Sequence, residues 1–228
     1  MFREEGRPVI TRRTDSLAEP AVSRADGALF ELLTVATPER QRAVAEAMEA
    51  DWAAHPWPSP TLLSRTVLMA NDGHTLLRYS QVTDLARPPH PPLPPGEELP
   101  DGDRELIAAR LYRSQRVPGA SGPPGCVVLV DRAFDRPDPE GARHLVDTLF
   151  ESASGQSPAD GLIGAYFYVS SDGTRVLNYA EWTDEQAHKA AIGNRPRGNA
   201  QWEEAHTWPG LRRTNFLRFR PHAGTAAP

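Results

Sequence analysis

The chain has 228 residues, 39% of them hydrophobic, with a net charge of −5 and a pI near 5.8. This length fits one large domain or two of about 100 residues. The charge balance shows no basic stripe for nucleic acid, the single Cys126 excludes an internal disulfide framework, and no run approaches the ~18 apolar residues of a membrane span.

Residues 1–27, beginning "MFREEGRPVITRRTDS", lack an apolar signal-peptide core and clear periodicity, and read as an arm ordered only by packing on the body. "ALFELLTVAT" (28–37) reads as a strand. Pro38 after Thr37 starts a helix whose Val44, Met48 and Trp52 share a face, and "PWPSP" ends it. "TLLSRTVLMA" and "TLLRYSQV" are strands around Asn71-Asp72-Gly73-His74, where Asp-Gly predicts a tight type I′ hairpin. "LARPPHPPLPPGEELPDGD" cannot be a regular helix at its prolines. Residues 104–117 read as a strand and 118–125, "PGASGPPG", as a linker. "CVVLVDRAF" is the next strand. Asp138-Pro139 opens a helix with an apolar stripe of Leu145, Val146, Leu149 and Phe150. A second hairpin surrounds Asp172-Gly173, "TDEQAHKAAI" continues as a helix, and 211–220 closes as a strand before a tail at 221–228.

"VLMANDGHTLLRYSQVTD" from Val67 aligns without a gap to "FYVSSDGTRVLNYAEWTD" from Phe167. Asp72, Gly73, Leu77, Tyr79, Thr83 and Asp84 recur as Asp172, Gly173, Leu177, Tyr179, Thr183 and Asp184. The surrounding element order repeats as well, which predicts two α+β repeats of ferredoxin-like type at 28–117 and 126–220. A small four-stranded unit leaves a sheet face uncovered. The two repeats are therefore expected to pack sheet to sheet as a single-chain α+β barrel.

A two-residue turn at Asp172-Gly173 pairs Val169 with Val176, Phe167 with Asn178, and Ile163 with Trp182. Strand alternation then gathers Ile163, Ala165, Phe167, Val169, Val176, Asn178, Ala180 and Trp182 on one face, and Tyr166, Tyr168, Leu177 and Tyr179 on the other. The first face is apolar except for one amide and one indole N–H, a composition suited to a flat aromatic ligand. In the first copy the same face carries Leu63, Arg65, Val67, Met69, Leu76, Arg78, Ser80 and Val82. An arginine on a covered face needs an anion or hydrogen-bond partners. Either this copy kept only a scaffold role or it binds something anionic. The proline-rich run in place of a helix favours the scaffold role, so the active site is expected in the second copy.

At "DGTRVLNYAEWTDEQAHKAAI" the chain resembles the antibiotic biosynthesis monooxygenase family: a DG-type turn, a strand ending in Asn178-x-x-x-Trp182, and an acidic, alanine-containing helix from Glu185 to Ala191. The resemblance covers most of 126–220 and, more weakly, 28–117. It implies a pocket between sheet and helices, with the tyrosine-rich face toward the other repeat. It also implies a cofactor-independent monooxygenase of secondary metabolism that oxidises a polycyclic aromatic, polyketide-type phenol to a quinone. Asn178, Trp182 and His188 are then catalytic candidates. Ile163, Ala165, Phe167, Val169, Val176, Ala180, His144 and Arg78 are substrate-binding candidates. His188 could carry a proton, or face solvent from its helix; His144 sits on a helix face beside Leu145. Quinone-forming members often use a tyrosine near His188, and none stands here. A cyclase or isomerase on the same fold, or a non-catalytic aromatic-ligand-binding barrel, are the alternatives.

No cofactor is expected, with O₂ as co-substrate. The histidines lack metal spacing, no nucleotide loop occurs, and Ile192 stands where haem-degrading relatives carry a histidine. The expected partner is a small aromatic substrate, with neither nucleic acid nor membrane, in the cytoplasm. A homodimer of the single-chain barrel is left open. Trp202, His206 and Trp208 are expected to pack a loop over the barrel end.

Overall fold

The computed structural model describes residues 10–12, 23–89, 93–94, 103–193 and 207–227. In chain order these form β1 (Ile10–Arg12), β2 (Gly27–Thr34), α1 (Pro38–Ala54), β3 (Leu62–Ala70), β4 (Thr75–Val82) and β5 (Arg104–Arg116). There follow β6 (Cys126–Phe134), α2 (Pro139–Ala153), β7 (Leu162–Ser170), β8 (Arg175–Trp182), α3 (Glu185–Gly193) and β9 (Leu211–Ala226). The fold class is α+β, in two compact units. The first runs to Ala108 and includes the chain from Phe219 on; the second is Ala109–Arg218.

In the first unit β4 lies between β2 and β3, and the end of β9 pairs with the far edge of β3, all antiparallel. The short β1 adds its backbone outside β9 at Ile10–Arg12; the remainder of the expected arm lies outside the described residues. In the second unit β8 lies between β6 and β7, and Ala109–Arg116 of β5 pairs with β7. The repeat limits expected at 117 and 220 therefore shift. The strands of 13 and 16 residues outrun the eight-residue β4 and β8, at about 3.3 Å per residue, so their C-terminal halves complete the unit other than the one their repeat predicts. The expected tail from 221 is strand as far as Ala226. It passes Pro221, which has no N–H for the ladder, by a bulge that leaves His222 unpaired between Ala223 and Pro221.

Local chemistry sets the helices. The Thr37 hydroxyl accepts from Arg40 N–H before α1, Asp138 accepts from Gly141 N–H before α2, and Asp184 accepts from Ala187 N–H before α3. Proline occupies the first turn of α1 and α2. α1 buries Val44, Met48 and Trp52 against Val67, Met69 and Leu76. α2 buries Leu145, Val146 and Leu149 against Phe167, Val169 and Val176.

The hairpins are wider than a two-residue type I′ turn. Gly73 N–H donates to Ala70 O and Gly173 N–H to Ser170 O, and only the glycines have positive φ, 78° and 70°. A type I′ turn needs positive φ at both central residues, and Asp72 and Asp172 do not adopt it. Instead each aspartate bends over its own turn. Asp72 accepts from His74 N–H and Thr75 N–H, and Asp172 from Thr174 N–H.

Candidate functional site

The turn change leaves the strand register across it intact. Val169 faces Val176 and Phe167 faces Asn178, as the alternation predicts. Beyond Ala165 the register shifts, because a bulge at Ile163 puts Leu162 opposite Trp182. Ile163 is buried but is not the residue across from the indole. The first unit has the same bulge at Leu63, with Leu62 opposite Val82. Both units therefore share one lattice: Arg65–Ser80 corresponds to Ala165–Ala180, and Val67–Arg78 to Phe167–Asn178.

The helix-facing side of the second sheet has two ends. Under α2 lie Phe167, Val169 and Val176 with Phe134 and the α2 stripe. Under α3 lie Cys126, Val128, Ala180 and Trp182, with Leu162, Ala187 and Ala191 against them. Ala165 touches both groups and is half-buried, as are Val130 and Asn178. The cross-strand pair Ala165–Ala180 thus makes a low floor between the bulkier Phe167 and Trp182. Asn178 has Val130 on one side and Phe167 on the other, and neither side chain offers a hydrogen bond. Among the described residues, its buried Oδ1 and the buried Trp182 Nε1 have no partner. A buried polar atom without a partner costs about 1–3 kcal/mol, which is retained where a ligand or reaction uses it.

His188 is buried on α3, which overturns its reading as a solvent-facing residue. Its ring meets Trp182 edge to face, with centroids 5.0 Å apart, and Phe216 at 6.1 Å. Arg218 Nε–H donates to His188 Nδ1 at 2.8 Å. A guanidinium can only donate, so Nδ1 is the acceptor in this contact and carries no proton there. The Arg218 and Phe216 contacts escaped sequence reasoning, since nothing local marks residues some thirty positions apart. His144 is exposed and stacks edge to face on Trp208 at 5.0 Å. Trp202 and His206 lie outside the described residues.

Arg78 lies in the first unit, 5% exposed, with its Nε bonded to Glu31, which also accepts from Arg104. Glu31 faces Arg78 from β2 at the lattice point that Val130 fills on β6. A signal was available here, because glutamate is the one charged residue in "ALFELLTVAT". Tyr179 lies on the opposite sheet face beside Tyr166; burial, then the Glu181 charge and the neighbouring tyrosines, push its phenol well up.

A cavity of about 240 Å³ occupies the hairpin end of the second unit, lined by Ala133, Phe134, Thr174, Arg175, Arg212 and Arg213. It lies away from Asn178. Arg175 and Arg213 both bond Asp131 Oδ2 there, at 2.7 and 2.9 Å, so one carboxylate offsets part of the arginine charge. Among the described residues no three His, Cys, Asp or Glu side chains converge on a possible metal position. No helix among them is long and apolar enough to cross a membrane.

Residues 128–207 match the family model described as antibiotic biosynthesis monooxygenase. An anthrone oxidase-like protein of known structure is 18% identical, with 96% of this chain and 98% of that one covered, at a TM-score of 0.67. The monooxygenase ActVA-Orf6 of Streptomyces coelicolor, solved in complex with Nanaomycin D, is 30% identical; the match covers 43% of this chain and 88% of that one, with a TM-score of 0.36. A comparison with curated proteins gives no match. The first likeness shows the fold, and the family-model match shows the relationship. The chain belongs to the antibiotic biosynthesis monooxygenase family, and its second unit carries the family match.

Proposed function

We propose that the second unit is a cofactor-independent monooxygenase site for a polycyclic aromatic, polyketide-type phenol, which it oxidises to a quinone. The observation that carries this reading is the pair of orphaned polar atoms, Asn178 Oδ1 and Trp182 Nε1, on an apolar face floored by Ala165 and Ala180. Phe167, Val169, Val176 and Leu162 supply its flat apolar wall, with Ile163 behind it in the bulge. Family membership, and a relative solved with Nanaomycin D, support a ring-shaped ligand.

An electron-rich phenolate can itself reduce O₂, so the protein need only bind, orient and exclude water. Asn178 Oδ1 accepts the phenolic O–H. The Trp182 N–H donates to the oxygen on which negative charge develops, an electrostatic effect that is largest in a site closed to water. The substrate loses its phenolic hydrogen and one ring hydrogen. One atom of O₂ becomes the new carbonyl and the other leaves as water, so four electrons pass from ring to oxygen and the equation balances. His188 holds the indole in place through its ring contact.

The test is turnover of an anthrone or naphthol under air and under argon, with ¹⁸O₂ to trace the new carbonyl. Loss of turnover under argon and one labelled oxygen in the product are expected. Undiminished anaerobic turnover would sink the oxygenase and leave a cyclase or isomerase.

A further inference from the structure

Arg65 occupies, in the first unit, the lattice point that Ala165 holds in the second. The long side chain stands where the second unit has its alanine floor. Arg65 is 4% exposed, and its guanidinium carbon lies 4.6 Å from the ring centre of Trp52 and 5.2 Å from that of Trp57. Trp52 comes from the last turns of α1. Trp57 follows the helix and is anchored by its indole N–H, which donates to Leu62 O at 2.9 Å. The two ring faces attract the cation but offer its N–H groups no lone pair. Among the described residues, Nε and Nη2 of Arg65 have no acceptor.

The surrounding charge makes this cation harder to hold. Glu31 is already shared by Arg78 and Arg104. Asp51 attracts Arg65 from a distance but bonds His55 Nδ1, at 3.0 Å. Burial lowers the Arg65 guanidinium to about 10, opposed by Asp51 and reinforced by Arg78, so it remains charged near neutral pH. A buried charge without a counterion is strongly disfavoured. The second unit has no arginine at this point, so the feature is not a general demand of the fold.

We propose that the first unit carries its own ligand site, in which Arg65, held against Trp52 and Trp57, binds the carboxylate of a small aromatic acid through Nε and Nη2. These two N–H groups point side by side, the spacing that a planar carboxylate accepts with both oxygens. Trp57, Leu29, Leu62, Val82 and Leu85 form one apolar group beside it, which suits an aromatic body behind the carboxylate. Arg78, fixed by Glu31, contributes field rather than a bond. The proposal is independent of the reaction assigned to the second unit.

Benzoate is the probe, with isosteric neutral benzamide and sulfate as controls, read by tryptophan fluorescence and thermal melting of the full chain. Saturable quenching and a rise in Tm are expected with benzoate alone. Arg65→Lys keeps the charge but loses the paired donors and should weaken binding about tenfold or more. Arg65→Met should abolish it, while Trp182→Phe, in the second unit, should leave it unchanged. The absence of a saturable benzoate effect, an equal effect of benzamide or of sulfate, or full binding in Arg65→Lys would each overturn the proposal. Loss of binding in Trp182→Phe would overturn it too, by placing the probe in the second unit.

Discussion

The imidazole of His188 lies edge to face on the Trp182 indole, centroids 5.0 Å apart at 63°, while its Nδ1 takes a hydrogen bond from Arg218. The ring is held from two sides, and in the proposed site it positions Trp182. His188→Phe keeps an aromatic edge but strands the Arg218 donor. It should lower Tm, hold kcat within about threefold and leave the pH–rate profile unchanged in shape, because a ~0.5–1.5 kcal/mol ring contact survives. Loss of one limb of the profile would make His188 the proton carrier instead.

Asn178→Ala and Trp182→Phe remove the two orphaned groups. Each should reduce kcat about 10²–10³-fold, the usual effect of losing one aimed hydrogen-bonding group. Asn178→Ala should leave Tm nearly unchanged, since its orphaned Oδ1 loses no hydrogen bond among the described residues; Trp182→Phe also trims a buried ring and should lower Tm modestly with the fold intact. Steady-state kinetics with a parallel melt checks this. Wild-type turnover in Asn178→Ala would move the site away from β8.

Glu31 and Arg78 show what a satisfied polar pair does at the equivalent point. Both are buried, at 2% and 5% exposure. Glu31→Gln removes the one charge that Arg78 and Arg104 share and should cost roughly 3–5 kcal/mol, while Arg78→Met leaves Glu31 its bond from Arg104 and should cost less. Glu31→Leu with Arg78→Met together should recover most of that loss. Denaturant unfolding of the two single variants and the double variant checks it. Additive losses would rule out the coupling.

The hairpin aspartates should make stability depend on acid. Burial pushes the Asp172 carboxyl up, but bonds from Ser170 and Thr174, with the Arg175 charge, outweigh it and hold it below its usual value. At Asp72, burial is likewise outweighed, by His74 and Thr75. A carboxyl lowered by folding stabilises the protein above its unfolded pKa of about 3.9, and that stability is lost as pH falls through the folded value. Asp72→Asn with Asp172→Asn should therefore lower Tm at pH 7, with the gap from wild type narrowing as acid titrates the two carboxyls below their unfolded range. A gap that stays constant through acid titration would contradict this account.

Activity should survive exhaustive dialysis against EDTA and exclusion of added flavin or haem, because in the proposed reaction the substrate supplies the electrons. Turnover within about twofold of the untreated protein is expected. Restoration of a lost activity by one metal or flavin per chain would replace the cofactor-free reading.

Sequence alone determined the features that rest on neighbours in the chain. Thr37-Pro38 and Asp138-Pro139 cap their helices because a short oxygen-bearing side chain before proline does so locally. Val169–Val176 and Phe167–Asn178 follow from a period of two counted out from Asp-Gly, even though the turn itself is four residues wide. The tertiary structure alone decided what depends on distant strands. The bulges at Leu63 and Ile163 leave no mark in composition, yet one extra residue exchanges Ile163 for Leu162 across from Trp182. The lengths of β5 and β9 take their ends into units that the repeat pattern does not predict. Most of all, the partners of the polar groups came from the fold. Arg78 met Glu31 across 47 positions, Arg218 bonded His188 across 30, and Arg65 found two tryptophan faces but, among the described residues, no acceptor for Nε and Nη2. Charge compensation is a property of which strands become neighbours, and alternation along one strand carries no record of that.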